Sequence, residues 1–348
     1  MSLHSETTSS PDDPPDAPLV AFALTARELS LFLREPNDGL SVPHHRFSEA
    51  DFAGDVWPER LARIRPTVLV TGWTTPPLPE NWIAAPDCPL RYVCHVAGSV
   101  RKLVPRLFLQ RGGIVTNWGD NVATQVAEHG LLLALSALRN AAHWRAFIAR
   151  PPATRRIEEL ATRTLFGRRV GIHGFGAVAR ALLPLLAPFS VSLSAYSAGV
   201  PSELMRAAGV EPRASLAELF KGADVLFECE ALTPATAHSV SAEILGALPD
   251  DAVFVNIGRG DLVDDAALQR EVAAGRLRVA LDVVADEPVT RASPYVTSGA
   301  VTLSPHIAGP TLDRYPHCGA HALEQLRTFL RGERPAAALS LAAYDRAT

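Results

Sequence analysis

The chain has 348 residues, more than the roughly 100–200 of a single domain, so two domains are expected. Hydrophobic residues make up 47% and charged residues 20%, a balance that excludes wholesale disorder. A net charge of −4 without a large basic block excludes an electrostatic footprint for nucleic acid or an anionic membrane.

Met1–Pro18 is rich in Ser, Thr, Asp and Pro and lacks the apolar core of a secretory signal, so it is expected to be a disordered tail. After it, Leu19–Leu24, Thr67–Thr71, Arg91–Val96 and Gly113–Asn117 carry strand patterns, and the proline-rich Thr74–Pro89 is a surface connection. Arg101, Lys102, Arg106 and Arg111 stand at helical spacings and are expected on a solvated helix face. From Asn121 to about Arg150 the period is helical and the middle is apolar nearly all round, which calls for cover by a domain or a second subunit. Its Leu131–Leu138 stretch is far shorter than the ~20 residues of a membrane span. Cys88, Cys94, Cys229 and Cys318 show no CxxC or CxxH spacing, so neither a zinc site nor a disulfide framework is expected, and a reducing cytoplasm fits.

A second block, about Val170 to Ser304, alternates again. Strands are expected at Arg169–His173, Val191–Tyr196, Val225–Cys229, Ala252–Ile257, Arg278–Asp282 and Val301–Leu303. Helices are expected at Ala177–Phe189, Ser202–Ala208 and Asp265–Ala274, with a kink or early end in the first of them at Pro184. Short apolar strands separated by helices describe an α/β chain with doubly wound parallel sheets. A final helix, about Gly319–Arg331, is expected to pack back on the first block.

Between the strand Arg169–His173 and the helix after it lies Gly174-x-Gly176-x-x-Ala179. In that context Gly174 permits a tight turn, Gly176 lets the backbone approach a pyrophosphate at the helix N-terminus, and Ala179 permits close helix–strand packing. Gly174, Phe175, Gly176, Ala177 and Val178 are therefore candidate contacts of an NAD or NADP cofactor. The next strand ends at Ser197, where NAD sites usually carry Asp or Glu to bind the ribose 2′-hydroxyl and repel a 2′-phosphate. Serine there leans the expectation slightly toward NADP, although no arginine adjoins it.

Asn256-Ile-Gly-Arg259-Gly-Asp-Leu-Val-Asp264, Leu281-Asp282-Val-Val-Ala-Asp-Glu287-Pro288 and Ser304-Pro-His306-Ile-Ala-Gly309 then follow. With the glycine turn, these motifs resemble in order and spacing the D-2-hydroxyacid dehydrogenase family, which includes lactate, glycerate, phosphoglycerate and formate dehydrogenases and glyoxylate/hydroxypyruvate reductases. The resemblance spans about Arg91 to Glu333. It implies that Arg259 binds the substrate, that His306 is the proton donor and acceptor, and that Glu287 orients His306. The chemistry agrees: a guanidinium fork matches the adjacent carboxylate and carbonyl of a 2-oxo acid, and imidazole titrates near neutral pH. The resemblance also implies that Ala97, Gly98 and Ser99 offer N–H groups to the substrate carboxylate from a glycine turn at a helix start. It further implies that Thr233, Ile257, Asp282 and His306 lie against the cofactor, Asp282 at the nicotinamide carboxamide or, as a competing role, capping a turn.

The family pattern is broken in three places, one of them Pro184 inside the expected helix Ala177–Phe189. Ala177 stands where many relatives have arginine against the pyrophosphate. Phe227-Glu228-Cys229-Glu230-Ala231-Leu232-Thr233-Pro234 replaces a common His-x-Pro-Leu-Thr, and its two carboxylates are expected to point away from the phosphates they would otherwise repel.

The expected architecture is two Rossmann-like domains: a flavodoxin-like substrate domain, 19–121 with 306–348, and a dinucleotide-binding domain, 122–305, with the site in the cleft between them. The expected activity is hydride transfer between NAD(P)H and a small 2-oxo or 2-hydroxy acid by a homodimer paired through the apolar helix. The alternative is a cofactor-sensing binding protein of the corepressor type.

Overall fold

The computed structural model describes residues 18–33 and 42–346. All of the expected tail except Pro18 lies outside the described residues. Two compact units divide the chain, one formed by the described residues up to Gly119 with Tyr315–Asp345, the other by Asp120–Arg314 with Arg346. His306 and the eight residues after it therefore belong with the second unit, whereas the sequence placed this stretch with the first.

The first unit is built on a five-stranded parallel sheet of β1 (Val20–Ala23), β2 (His44–Arg46), β3 (Val68–Thr71), β4 (Tyr92–His95) and β5 (Ile114–Thr116), in the order β2-β1-β3-β4-β5. This is the flavodoxin-like order. Strands β1, β3 and β4 are buried at every position, as parallel strands covered on both faces must be. The edge strand β2, His-His-Arg, is partly exposed and has no apolar run, so its pattern does not announce a strand.

Helix Tyr315–Leu330 packs on helix Ala26–Phe32 of the same unit. Gly319 makes this possible: a Cβ there would stand 1.8 Å from the Phe32 carbonyl oxygen. Gly319→Ala is therefore expected to force the helices apart, at about 1–3 kcal/mol. A thermal melt checks it: the transition should fall by roughly 2–12 °C, whereas Gly54→Ala, with open space around its Cβ, should leave it in place.

The second unit carries seven parallel strands: β6 (Arg169–His173), β7 (Ser192–Tyr196), β8 (Glu211–Pro212), β9 (Val225–Glu228), β10 (Val253–Asn256), β11 (Arg278–Leu281) and β12 (Thr302–Leu303). Their order is β12-β11-β10-β9-β6-β7-β8. Counted from β6 this is the Rossmann order 3-2-1-4-5-6 with one strand added, and the direction of winding reverses between β6 and β9. Side chains alternate between two cores. Val225, Phe227, Val253 and Val255 join the helices Ala123–Leu138 and Ala177–Leu186 on one face. Leu226 and Phe254 face Leu219, Phe220, Leu245 and Leu268 on the other.

Local signals set the helix ends. Helix Asp265–Ala274 starts where the Asp264 side chain accepts the Ala267 N–H and stops at Gly275, φ +63°. The helix expected over Asn121–Arg150 ends instead at Leu138. Asn140, which tolerates its left-handed φ of +56°, turns the chain into a short 3-10 segment and the separate helix Trp144–Ala149. The cover that the apolar stretch demands comes from the unit's own sheet and from helix Ala177–Leu186. Pro184 sits in the last turn of that helix, which ends at Leu186 and tightens to 3-10 geometry through Phe189. Among the described residues, no helix is long and apolar enough to cross a membrane.

Candidate active site

In an open parallel sheet, ligands gather beyond the carboxyl ends of the strands. In the second unit each candidate residue follows such an end: Gly174 after β6, Ser197 after β7, Glu230 after β9, Arg259 after β10, Asp282 and Glu287 after β11, and His306 after β12.

At the glycine turn Gly174 adopts φ +91°, and a Cβ there would stand 2.7 Å from the backbone N and Cα of Glu230, so no other residue fits. Gly176 has nothing within 4 Å of where its Cβ would be. It is followed by the ten-residue helix Ala177–Leu186, whose N-terminus no side chain caps. This open cradle with its free N–H groups fits the pyrophosphate of a dinucleotide. Phe175 is buried in the core and Val178 packs against it, so both offer backbone to a ligand. Ile257 is likewise a core side chain, pressed against helix Ala123–Leu138 at Gly130, where a Cβ would stand 2.7 Å from its Cδ1. Thr233 closes a local turn with Thr236, their hydroxyls 3.0 Å apart.

The two glutamates of the unusual β9 segment part ways. Glu228 is fully buried, with Oε2 2.6 Å from Nδ1 of buried His173. Burial pulls the His173 pKa down, but the Glu228 carboxylate and then Glu230 outweigh it, and the net shift is upward. Glu230 turns its carboxylate toward the end of β7. Its Oε2 accepts the Ser197 hydroxyl at 2.7 Å and its Oε1 the Ala231 N–H at 2.9 Å. The lean toward NADP assumed no carboxylate at the end of β7, and that premise does not hold.

Arg259 leaves β10 in a turn fixed by Asn256, whose Oδ1 accepts the Gly258 N–H and whose Nδ2 donates to the Arg259 carbonyl, both at 3.0 Å. Gly260 is required by close approach: a Cβ would fall 2.0 Å from the Val284 carbonyl carbon. Burial lowers the Arg259 pKa, opposed by the charges of Glu287 and Asp282. Glu287 also meets His306, Oε2 to Nδ1 at 2.7 Å, while its Oε1 accepts the Val284 N–H at 3.1 Å. The carboxylate thus links the histidine by a hydrogen bond and the arginine by its field.

His306 itself holds φ +54°, an uncommon conformation for a residue with a Cβ. Asp282 enforces it. Its carbonyl accepts the His306 N–H at 2.9 Å, Oδ1 the Ile307 N–H at 2.9 Å and Oδ2 the Ala308 N–H at 3.0 Å. Ser304 donates to Oδ1 at 2.7 Å, and His129 from helix Ala123–Leu138 lies 2.8 Å from the Ser304 hydroxyl and 3.4 Å from Oδ1. Burial raises the Asp282 carboxyl pKa, yet these donors together hold it below the usual range. Asp282 braces the loop that carries His306, the turn-capping role. The sequence reading passed over His129, although Glu128-His129 places two titratable residues next to the apolar middle of that helix.

In the first unit Ala97 and Gly98 lie in a bend after β4 and Ser99 just past it, not at a helix start; the next helix begins only at Arg106, behind Pro105. Here the loop is held from Trp118 and Asn117. Trp118 N–H donates to the Ala97 carbonyl at 3.1 Å, Asn117 Nδ2 to the Gly98 carbonyl at 2.6 Å, and a Cβ on Gly98 would strike the Trp118 indole at 2.6 Å. Of the four basic residues expected on one helix face, only Arg106 lies on the helix, paired with Asp345, and Arg111 caps its end.

A family profile described as "D-isomer specific 2-hydroxyacid dehydrogenase, NAD binding domain" matches residues 131–308, which contain the cradle, the arginine, the glutamate and the histidine. The chain belongs to the D-2-hydroxyacid dehydrogenase family. It is 31% identical over 225 residues to a D-3-phosphoglycerate dehydrogenase of Methanocaldococcus jannaschii, covering 64% of this chain and 42% of that one. It thus spans about two fifths of the length of the phosphoglycerate dehydrogenases that it matches. A glyoxylate reductase of Pyrococcus furiosus is 28% identical over 252 residues, 71% of this chain and 74% of the relative. Among solved structures, Rhodotorula graminis D-mandelate dehydrogenase superposes with a TM-score of 0.80 at 20% identity, covering 93% of this chain and 98% of that one, a likeness of fold.

Proposed function

We propose that this D-2-hydroxyacid dehydrogenase family member is an oxidoreductase that transfers a hydride between a nicotinamide dinucleotide and a small 2-oxo or 2-hydroxy acid. The observation that carries it is Glu287, hydrogen-bonded to His306 and electrostatically coupled to Arg259 beyond the ends of three adjacent strands. The bound nicotinamide supplies the hydride. Arg259, partly withdrawn from water, pairs with the substrate carboxylate and polarises its carbonyl oxygen. In its imidazolium form His306 keeps Nδ1–H on Glu287 and gives the Nε2 proton to the oxygen that becomes the alcohol; in oxidation it takes that proton back. Glu287 fixes the ring and balances its charge. Ala97–Ser99 remains the candidate loop for the substrate carboxylate.

Glyoxylate, hydroxypyruvate and phenylpyruvate are the substrates to try first, the first of them named for the Pyrococcus furiosus relative. Loss of NAD(P)H absorbance with at least one of them is the expected result. Protein saturated with NADH or NADPH that turns over none of them would sink the proposal. A homodimer belongs to the same reading: Leu132 of helix Ala123–Leu138 is 55% exposed, and Trp144 and Ile148 of the following helix are exposed as well.

A further inference from the structure

We propose that Glu230 selects the dinucleotide, its carboxylate binding the 2′-hydroxyl of the adenosine ribose and excluding a 2′-phosphate, so that the protein takes NAD(H) over NADP(H). The inference rests on the dinucleotide site described above.

In sites of this architecture the ribose acid ends the second strand of the unit, about 20 residues after the glycine turn. Ser197 holds that position and has no charge. The carboxylate arrives from another strand. Strands β9, β6 and β7 are neighbours in that order, so a side chain two residues beyond β9 can cross the turn after β6 and reach the end of β7. Glu230 follows this path. Its backbone lies against Gly174, close enough that a Cβ there would collide with it, and its Oε2 receives the Ser197 hydroxyl at 2.7 Å.

The placement is fixed at three further points. The Ala231 N–H holds Oε1 at 2.9 Å, the Glu230 N–H donates to Oε1 of Glu228 at 3.0 Å, and Glu228 is anchored in the core on His173 at 2.6 Å. The buried His173–Glu228 pair, which the hydride chemistry does not use, thereby acquires a role: it sets the backbone from which Glu230 reaches out. The serine hydroxyl, donating to Oε2, aims the carboxylate and leaves its other lone pairs to accept from a ribose hydroxyl.

A 2′-phosphate at the same corner would meet a like charge. Ala198, Gly199, Val200 and Pro201, which follow Ser197, bring no cation to offset it. Coulomb repulsion between two unit charges at about 4 Å corresponds to roughly 5- to 1,000-fold in affinity between water-like and surface-like screening.

Titration of NADH and NADPH into the full-length protein, followed by the quenching of tryptophan fluorescence and by calorimetry, tests the proposal without turnover. The wild type should prefer NADH within that range. Glu230→Gln, which keeps the size and the acceptor for Ser197, should bring the NADH/NADPH ratio to within about threefold of unity, mainly by tightening NADPH. Ser197→Ala, which releases the carboxylate without removing it, should narrow the ratio less and keeps the test decisive if the glutamine variant melts early. A wild-type preference for NADPH, an unchanged ratio in both variants, or equal tightening of both dinucleotides in Glu230→Gln would overturn it, the last showing that the carboxylate only repels the shared pyrophosphate. Folded wild type that binds neither dinucleotide overturns the dinucleotide site itself and this inference with it, an outcome distinct from tight binding without discrimination.

Discussion

Replacing His306 by asparagine is expected to lower kcat for 2-oxo acid reduction by about 10²–10⁴-fold, the usual worth of a positioned general acid, while the Kd for NADH stays within about threefold. Asparagine is chosen because position 306 holds φ +54°, where alanine adds backbone strain and asparagine adds little. The Asp282 brace acts through the backbone N–H groups of residues 306, 307 and 308, so the loop should survive the change. What is lost is the one group in the strand-end cluster that both carries a transferable proton and hydrogen-bonds Glu287. Stopped-flow reduction and a separate NADH titration read the two effects. Turnover within about threefold of wild type would remove the histidine from the chemistry and favour a cofactor-sensing protein over an enzyme.

The sequence made the strand-end logic legible because several site residues sit within a few residues of a short apolar run and at or beside a glycine or proline that breaks it. Gly174, Arg259, Glu287 and His306 are all of this kind. The glycines flanking Arg259 proved to be demands of packing, Gly260 against Val284 above all. Glu230 is not of this kind, and its role was the hardest to see. Its partner Ser197 is 33 residues away, just past a strand reached only by knowing that β9 lies beside β6. A linear reading that looked for an acid after β7 found serine and concluded that no acid was there. The crossover that defines the fold is what brings the charge in.

Other elements escaped for different reasons. Strand β2 is a partly exposed edge of three polar residues, so period and hydrophobicity carried no signal there. The long helix was overextended because apolar periodicity continues past Leu138, while Asn140, the residue that ends it, is a weaker stop signal than glycine. The boundary at Arg314 follows from contacts of the loop after His306 with Asp282, which tie that loop to the second unit and are invisible in spacing.

Arg259→Leu is expected to cost about 2–5 kcal/mol in kcat/KM, roughly 30- to 5,000-fold, because it leaves a substrate carboxylate without its partner in a site partly withdrawn from water. Burial disfavours the charge of the guanidinium, the fields of Glu287 and Asp282 oppose that cost, and Nη1 donates to the Gly258 carbonyl at 2.7 Å. A ligand carboxylate would therefore gain from a cation that is incompletely solvated. Arg259→Lys separates charge from shape: it restores a cation but not the fork that spans two oxygens, so it should recover only part of the loss. Because the turn is set by Asn256 and the backbone of Gly258 and Gly260, neither variant should shift the thermal transition by more than a few degrees. Steady-state kinetics with a 2-oxo acid and its 2-hydroxy product measure both arms. Full activity in Arg259→Leu would mean that the carboxylate is bound elsewhere, and equal losses in the leucine and lysine variants would mean that two-point geometry, rather than charge, does the recognising.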